Sequence, residues 1–190
     1  MLLALAPGPS PEGPLGVAVS DVCAALGAKV SVCETDGADE TGLDAAVAAV
    51  VREAGRIDLL AVDGAGLFAH GRERGGDGHA ALRACMDAAW SATRAVVNGA
   101  FLPAEPSGRA RRIVYLAPSA DAGEHAEAAC AGLENLARTL SIEWARHGVT
   151  TATIAPGAQT PAGEVAALTA YLASPAAAYF SGCLLDLRGP

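Results

Sequence analysis

Residues 55–66 read Gly-Arg-Ile-Asp-Leu-Leu-Ala-Val-Asp-Gly-Ala-Gly and contain the segment that decides the fold. The largely apolar run 57–62 is short and is bounded by turn residues, so it predicts a buried strand. Strands that are apolar on both sides are typical of parallel sheets whose two faces are covered by helices. We therefore expect the rest of the chain to alternate short apolar strands with helices.

The pattern on either side of this segment agrees with that expectation. The other predicted strands are 2–6, 28–33, 113–117, 149–155 and 182–187. The predicted helices are 15–26, 43–53, 79–100, 124–147 and 164–173. Thr41 is predicted to cap the second helix, and the glycine-rich residues 63–78 are predicted to form a loop or lid. The sequence thus predicts an α/β fold: one doubly wound domain over residues 1–190, with a parallel sheet of about six strands and helices on both faces.

Composition excludes several classes of function. The chain has a formal net charge of −8 and no basic run that could follow a phosphate backbone, so we expect no nucleic-acid partner. Its five cysteines show neither C-x-x-C nor cysteine/histidine spacing, which argues against disulfides and a metal site and favours a reducing cytoplasm. The apolar run at 2–6 is too short to cross a membrane, so we expect no membrane partner.

Several segments resemble the short-chain dehydrogenase/reductase family. Residues 55–66 resemble the strand that ends in Asn-Asn-Ala-Gly, and residues 131–149 resemble the helix after the catalytic lysine. Ile-Ala-Pro-Gly at 154–157 resembles the turn beside the nicotinamide, and residues 172–175 and 180–189 resemble the C-terminal segment. Because these segments follow the family's order over nearly the whole chain, the resemblance implies a Rossmann-type fold and a relation to NAD(P)-dependent oxidoreductases.

Three of the four catalytic roles of that family are unfilled in this sequence. Family members use a Tyr-x-x-x-Lys pair, in which the lysine lowers the pKa of the phenol that transfers a proton. This chain has a single lysine, Lys29, and none of its tyrosines is followed by a lysine at that spacing. By resemblance, the asparagine, serine, tyrosine and lysine positions fall on Cys85, Pro118 or Ser119, Ala126 and Cys130. An alanine cannot transfer a proton and a thiol cannot supply a fixed cation, so we expect no catalytic residue.

The nucleotide site is ambiguous at this level. The family's glycine-rich turn brings backbone amides to a pyrophosphate at a helix N-terminus. In the corresponding residues 7–16, prolines have no amide to donate and Glu12 adds negative charge, whereas Glu34 stands where an acid would bind the adenosine ribose. The candidate cofactor-binding residues are Gly8, Gly13, Gly16, Glu34 and Gly66. We expect no bound cofactor. If a cofactor does bind, NAD is the candidate.

Two parts of the family fold have no room in this sequence. The interval from Cys33 to Thr41 is too short for the usual extra helix and edge strand. The interval from Gly157 to Glu164 is too short for the helical pair that covers the substrate. The chain is therefore a shortened member by resemblance, and the loss of a lid would remove the exclusion of water.

These observations predict an inactive family member that acts as a structural or regulatory partner of an active homologous subunit, or that associates with itself. The predicted interface uses helices 80–97 and 124–146, which could pair across a two-fold axis. Its proposed contact stripe is Ala81, Ala84, Ala88, Ala92 and Ala95, unless that stripe packs on the domain's own sheet. Two alternatives stay open: an NAD-dependent oxidoreductase with a non-standard or partner-supplied proton donor, and a small-ligand-binding module in the crevice at the strand ends.

Overall fold

The structure is a computed structural model, and it describes residues 1–5, 14–35, 37–75, 77–103 and 111–189. Gly8 and Gly13, both predicted to contact a cofactor, lie outside the described residues. The same is true of Glu12.

The described residues form six strands and six α-helices. The strands are β1 (Leu2–Leu5), β2 (Ser31–Glu34), β3 (Leu59–Asp63), β4 (Arg111–Leu116), β5 (Val149–Pro156) and β6 (Cys183–Leu187). The helices are α1 (Pro14–Ala25), α2 (Glu40–Ala54), α3 (Gly64–Gly75), α4 (Gly78–Val96), α5 (Ala126–Glu143) and α6 (Ala162–Ala173). A π-helical turn, Val97–Phe101, extends α4.

All six strands are parallel and lie in the order β2-β1-β3-β4-β5-β6. Buried side chains form one core cluster where α2, α3, α4 and α5 meet the sheet and a second where α1 and α6 meet it. The predicted doubly wound α/β fold is therefore confirmed. The strand order reverses between β1 and β3, which makes the carboxyl ends of these two strands the place where a ligand crevice is expected.

Residues 63–78 do not form the loop or lid that the sequence predicts. Most of them form α3, whose Phe68 is fully buried. Gly71 lies so close to α4 that a Cβ at this position would come within 2.8 Å of the Cα of Ala81. Glycine costs about 1 kcal/mol in a helix, but burial of a large apolar side chain contributes about 1.5–3 kcal/mol. The glycines thus permit close helix packing, and the loop prediction is wrong.

Asp39, rather than Thr41, caps α2. The backbone amide of Gly42 donates to Oδ1 of Asp39 at 2.8 Å, and the helix begins at Glu40. Thr41 therefore already lies in the first turn, where it cannot be the cap.

The alanine stripe proposed as an interface is buried within the domain. Ala81 and Ala88 are fully buried, Ala92 and Ala95 are 1% exposed, and all four belong to the core cluster that packs on the sheet. A surface used by a partner cannot already be covered by the chain itself, so this part of the interface prediction is wrong. The rival expectation, that the stripe packs on the domain's own sheet, agrees with this burial, although Ala81 also lies against Gly71 of α3 and Ala84 is half-buried. None of the helices in the described ranges is long and apolar enough to cross a membrane.

Candidate functional site

The predicted site residues that the structure describes lie at the carboxyl edge of the sheet. Gly16 is in the first turn of α1, and Gly66 is in the first turn of α3. Glu34 ends β2 opposite Leu5 of β1 and is exposed, whereas Ser119 follows β4. The fold therefore brings elements of the predicted nucleotide site and of the predicted catalytic site to one edge.

Asp63 connects the two glycines. Its Oδ2 accepts a hydrogen bond from the amide of Gly16 at 3.1 Å, and its Oδ1 accepts one from the amide of Gly66 at 3.0 Å. Each amide is in the first turn of a helix, where backbone donors have no partner within the helix. A single carboxylate thus caps α1 and α3 together.

The environment of Asp63 disfavours its charged form. The residue is 1% exposed, and burial raises the pKa of its carboxyl to about 6, although the two amide hydrogen bonds oppose that rise. The sequence analysis did not single out Asp63. The available signal was an ionisable residue directly after a buried apolar strand, at the edge where parallel strands place ligands.

Cys85, another position predicted from the resemblance, is fully buried on α4. Its Sγ donates weakly to the carbonyl oxygen of Gly64 at 3.4 Å. Burial, together with the nearby charges of Asp63 and Cys130, raises the pKa of the Cys85 thiol to about 12. The thiol is therefore protonated at neutral pH and is a poor nucleophile.

Ala126 and Cys130, two more of the positions predicted from the resemblance, lie in the core. Ala126 is fully buried and Cys130 is 7% exposed, and both belong to the cluster that includes Phe68 and Leu133. Burial also raises the pKa of the Cys130 thiol. These two positions therefore present a buried apolar side chain and a buried thiol that is protonated at neutral pH.

Four positions were predicted from the resemblance: Cys85, Ser119, Ala126 and Cys130. Of these, Ser119 carries a polar, half-buried side chain. It precedes the 3₁₀ turn Ala120–Ala122, and its carbonyl oxygen accepts the amide of Ala122 at 3.0 Å. Arg72 of α3 donates to the carbonyl oxygen of Ala122, which fixes α3 against the segment that follows β4. A serine hydroxyl placed here can hydrogen-bond a ligand, but it supplies no proton of suitable pKa by itself.

A cation of the C-terminal segment, Arg188, lies near Cys130. Arg188 interacts electrostatically with Cys130 and Glu127, but its guanidinium is held by Asp186, with Nε–Oδ1 and Nη2–Oδ2 distances of 2.8 and 2.6 Å. The hydrogen bonds from Arg188 lower the pKa of Asp186 to about 2. Arginine stays protonated in proteins, so Arg188 can contribute charge but not a transferable proton.

A cavity of about 520 Å³ lies at the opposite, amino edge of the sheet. Its apolar wall includes Cys23, Leu59 and Ala173, and Lys29 and Arg56 lie at its rim. Both cations are engaged: Lys29 with Glu53 and Arg56 with Asp58. Within the described ranges, no group of three or more His, Cys, Asp and Glu side chains is arranged to hold a metal ion.

Comparisons with known proteins agree with the geometry. The family model for short chain dehydrogenases matches residues 14–169. A double mutant of a Serratia marcescens short-chain dehydrogenase/reductase superimposes with a TM-score of 0.71 at 20% identity, over 98% of this chain and 94% of that chain. The E. coli protein BdcA gives 0.66 at 22% identity, over 98% and 96% of the two chains. A short chain dehydrogenase from Mycobacterium smegmatis gives 0.71 at 20% identity, over 99% and 91%. No curated protein sequence matches.

Proposed function

We propose that this chain, which belongs to the short chain dehydrogenase family, is a catalytically inactive member with a structural or regulatory role. In this proposal its partner is an active homologous subunit or a second copy of the chain. The fold is that of an oxidoreductase, but the residues at the reacting end of the crevice do not provide oxidoreductase chemistry.

The observation that carries the proposal is the burial of Ala126 and Cys130. In the family these positions supply the proton donor and the cation that lowers its pKa. Here a fully buried alanine and a 7% exposed thiol are part of the main hydrophobic core. A proton relay needs a titratable group that reaches the reacting atoms, and neither side chain offers one.

In the described part of the nucleotide crevice, the contacts of Gly16 count against a dinucleotide phosphate. Exposed Glu34 could hold a ribose hydroxyl pair, but the amide of Gly16 is already bonded to a carboxylate. A negative charge at a helix N-terminus repels a second anion that approaches the same amides. These contacts support the proposal that no NAD(P) is bound.

Exposed apolar side chains on α4 and α5 support the partner role. Trp90 of α4 is 44% exposed and Ile142 of α5 is 78% exposed. Large exposed apolar side chains on neighbouring helices are typical of protein interfaces, where Trp in particular contributes much of the binding energy. They replace the buried alanine stripe as the surface that we propose for association.

Co-purification tests this role. The tagged chain is expressed together with a homologue that has a complete Tyr-x-x-x-Lys pair, and also alone, and each sample is analysed by light scattering. We expect a stable complex, either with that homologue or between two copies. A monodisperse monomer in both samples would rule out the partner role.

The cavity at the amino edge of the sheet supports a second candidate function, a small-ligand-binding module. Its volume of about 520 Å³ lies in the range of small-molecule sites, and its walls combine apolar and charged groups. Replacing Ala173 with Trp would occupy part of it and narrow it. A ligand that raises the thermal stability of the native chain but not of Ala173→Trp would support this function, and a ligand screen without such a hit would count against it.

A further inference from the structure

The Asp63 carboxylate lies at a position that usually suits an external anion. The first turns of two twelve-residue helices, α1 and α3, each direct one backbone amide at it. Converging helix N-termini attract negative charge, because their amides are unpaired and the helix dipoles are positive there. In this chain the anion is part of the protein, and it is almost fully buried.

We propose that Asp63 is an internal anion that occupies the amides of Gly16 and Gly66 and thereby excludes phosphate-bearing ligands from the switch-point end of the crevice. This inference rests on the proposed absence of a bound dinucleotide and supplies a residue responsible for it. Asp63 would thus determine ligand specificity without taking part in catalysis.

The surroundings of Asp63 leave its charge without a neutralising cation in the described part of the chain. From α1 and α3 it receives backbone amides, and from α4 it faces the Cys85 thiol, which stays protonated. An ionised Asp63 therefore keeps a net negative charge. This charge would repel a pyrophosphate that approaches the two helix N-termini. A neutral side chain of the same shape would leave the helix N-termini available to attract that anion.

Asp63→Asn is the informative variant because it removes the charge and keeps nearly the same shape. Asp58→Asn is its matched control, since Asp58 precedes the same strand at the opposite edge of the sheet and is exposed. Both variants change the net charge equally. NAD is the probe, because its phosphates do not titrate near neutral pH, and binding is measured by calorimetry at pH 7.5.

We expect Asp63→Asn to bind NAD at least roughly tenfold more tightly than the native chain, because it removes a like charge close to the phosphates. Asp58→Asn should match the native chain. If Asp63→Asn shows no gain over Asp58→Asn, the inference is wrong. Folding of each variant is checked by circular dichroism.

A second measurement does not depend on the dinucleotide. Asp63→Ala leaves two unpaired helix amides around a space the size of a carboxylate, so formate should raise the thermal stability of this variant and leave the native chain unchanged. Equal responses of the two proteins would contradict the inference. Should Asp63→Ala fail to fold, Asp63→Asn still decides the question.

Failure of this inference is distinguishable from failure of the proposed function. Unchanged NAD affinity in Asp63→Asn would show that Asp63 is not what excludes NAD. The proposed inactivity would still stand, because it rests on the buried Ala126 and Cys130. Turnover by the native chain would refute inactivity whatever Asp63 does.

Discussion

The amide of Gly16 donates to Oδ2 of Asp63 at 3.1 Å, a contact between residues 47 positions apart in the sequence. It joins the start of α1 to the end of β3 across the point where the strand order reverses. Gly16 is a candidate contact for a cofactor phosphate, and in the structure its amide donates to a side chain of the same chain. The consequences of this contact can be measured in several ways.

The first prediction concerns the pH dependence of stability. The pKa of Asp63 is raised from 3.8 to about 6 in the folded chain, so the folded state binds the proton more tightly than the unfolded state. Asp63 contributes most to the free energy of unfolding below pH 4. This contribution falls by on the order of 3 kcal/mol as the pH rises to about 6. Relative to the native chain, Asp63→Asn should therefore gain about 2–3 kcal/mol in free energy of unfolding between pH 4 and pH 7.5. Urea denaturation at both pH values measures this gain.

Asp186→Asn is the control of opposite sign. The pKa of Asp186 is lowered to about 2 by its hydrogen bonds with Arg188, so its contribution is present above the unfolded pKa and is lost in acid. Asp186→Asn should thus lose stability relative to the native chain as the pH rises. The same trend in both variants would contradict the assigned environments.

The second prediction concerns Ala126, the residue that the resemblance aligns with the family's tyrosine. Ala126→Tyr forces a large side chain into a fully buried site, and overpacking of this kind costs about 1–3 kcal/mol or more. We expect a lower denaturation midpoint for Ala126→Tyr and no dehydrogenase activity for the double variant Ala126→Tyr, Cys130→Lys. Restored turnover in that double variant would show that the position still faces the crevice.

The third prediction concerns association. Trp90→Arg should shift an oligomer toward monomer in sedimentation, with little loss of stability, because Trp90 is 44% exposed. Val17→Arg is the control, since Val17 is 57% exposed on α1 and lies away from the proposed surface. Arginine at Ala88 would be uninformative, because that residue is buried and the substitution would unfold the domain. Equal dissociation by both variants would contradict the proposed surface.

The fourth prediction tests the packing of α4 against the segment before α5. A Cβ at Gly78 would lie 2.4 Å from the backbone oxygen of Glu124, so Gly78→Ala should cost about 1–3 kcal/mol. Gly163→Ala is the matched control, because no atom lies within 4 Å of its added Cβ, and it should be neutral or stabilising by up to about 1 kcal/mol. Thermal denaturation of both variants measures the difference. If Gly78→Ala were as stable as Gly163→Ala, the close contact would be disproved.

The fold could be predicted from sequence because its strands are short apolar runs bounded by turn residues, as in 57–62. The helix at 64–75 could not, since its glycines lower the helix propensity and the compensating burial of Phe68 arises only in the folded domain. The same limitation explains why the alanine stripe was wrongly predicted to be an interface. Helical spacing identifies an apolar face, but it does not indicate whether the domain itself or a partner covers that face.

The candidate site was partly predictable for a related reason. Family resemblance located Cys85, Ser119, Ala126 and Cys130, and residue chemistry alone argued against a proton relay. Asp63 was missed because its importance comes from two amides in separate helices, which only the folded chain brings together.

The most direct test of inactivity is the oxidation of NADH and NADPH by the purified native chain with a panel of carbonyl substrates, beside Ser119→Ala. Ser119 is the family position that still carries a polar, half-buried side chain, so it is the residue on which residual chemistry would depend. We predict that both proteins give the same background rate, because a proton relay contributes roughly 10²–10⁴-fold and none is present. Turnover by the native chain well above background that Ser119→Ala abolishes would contradict the account.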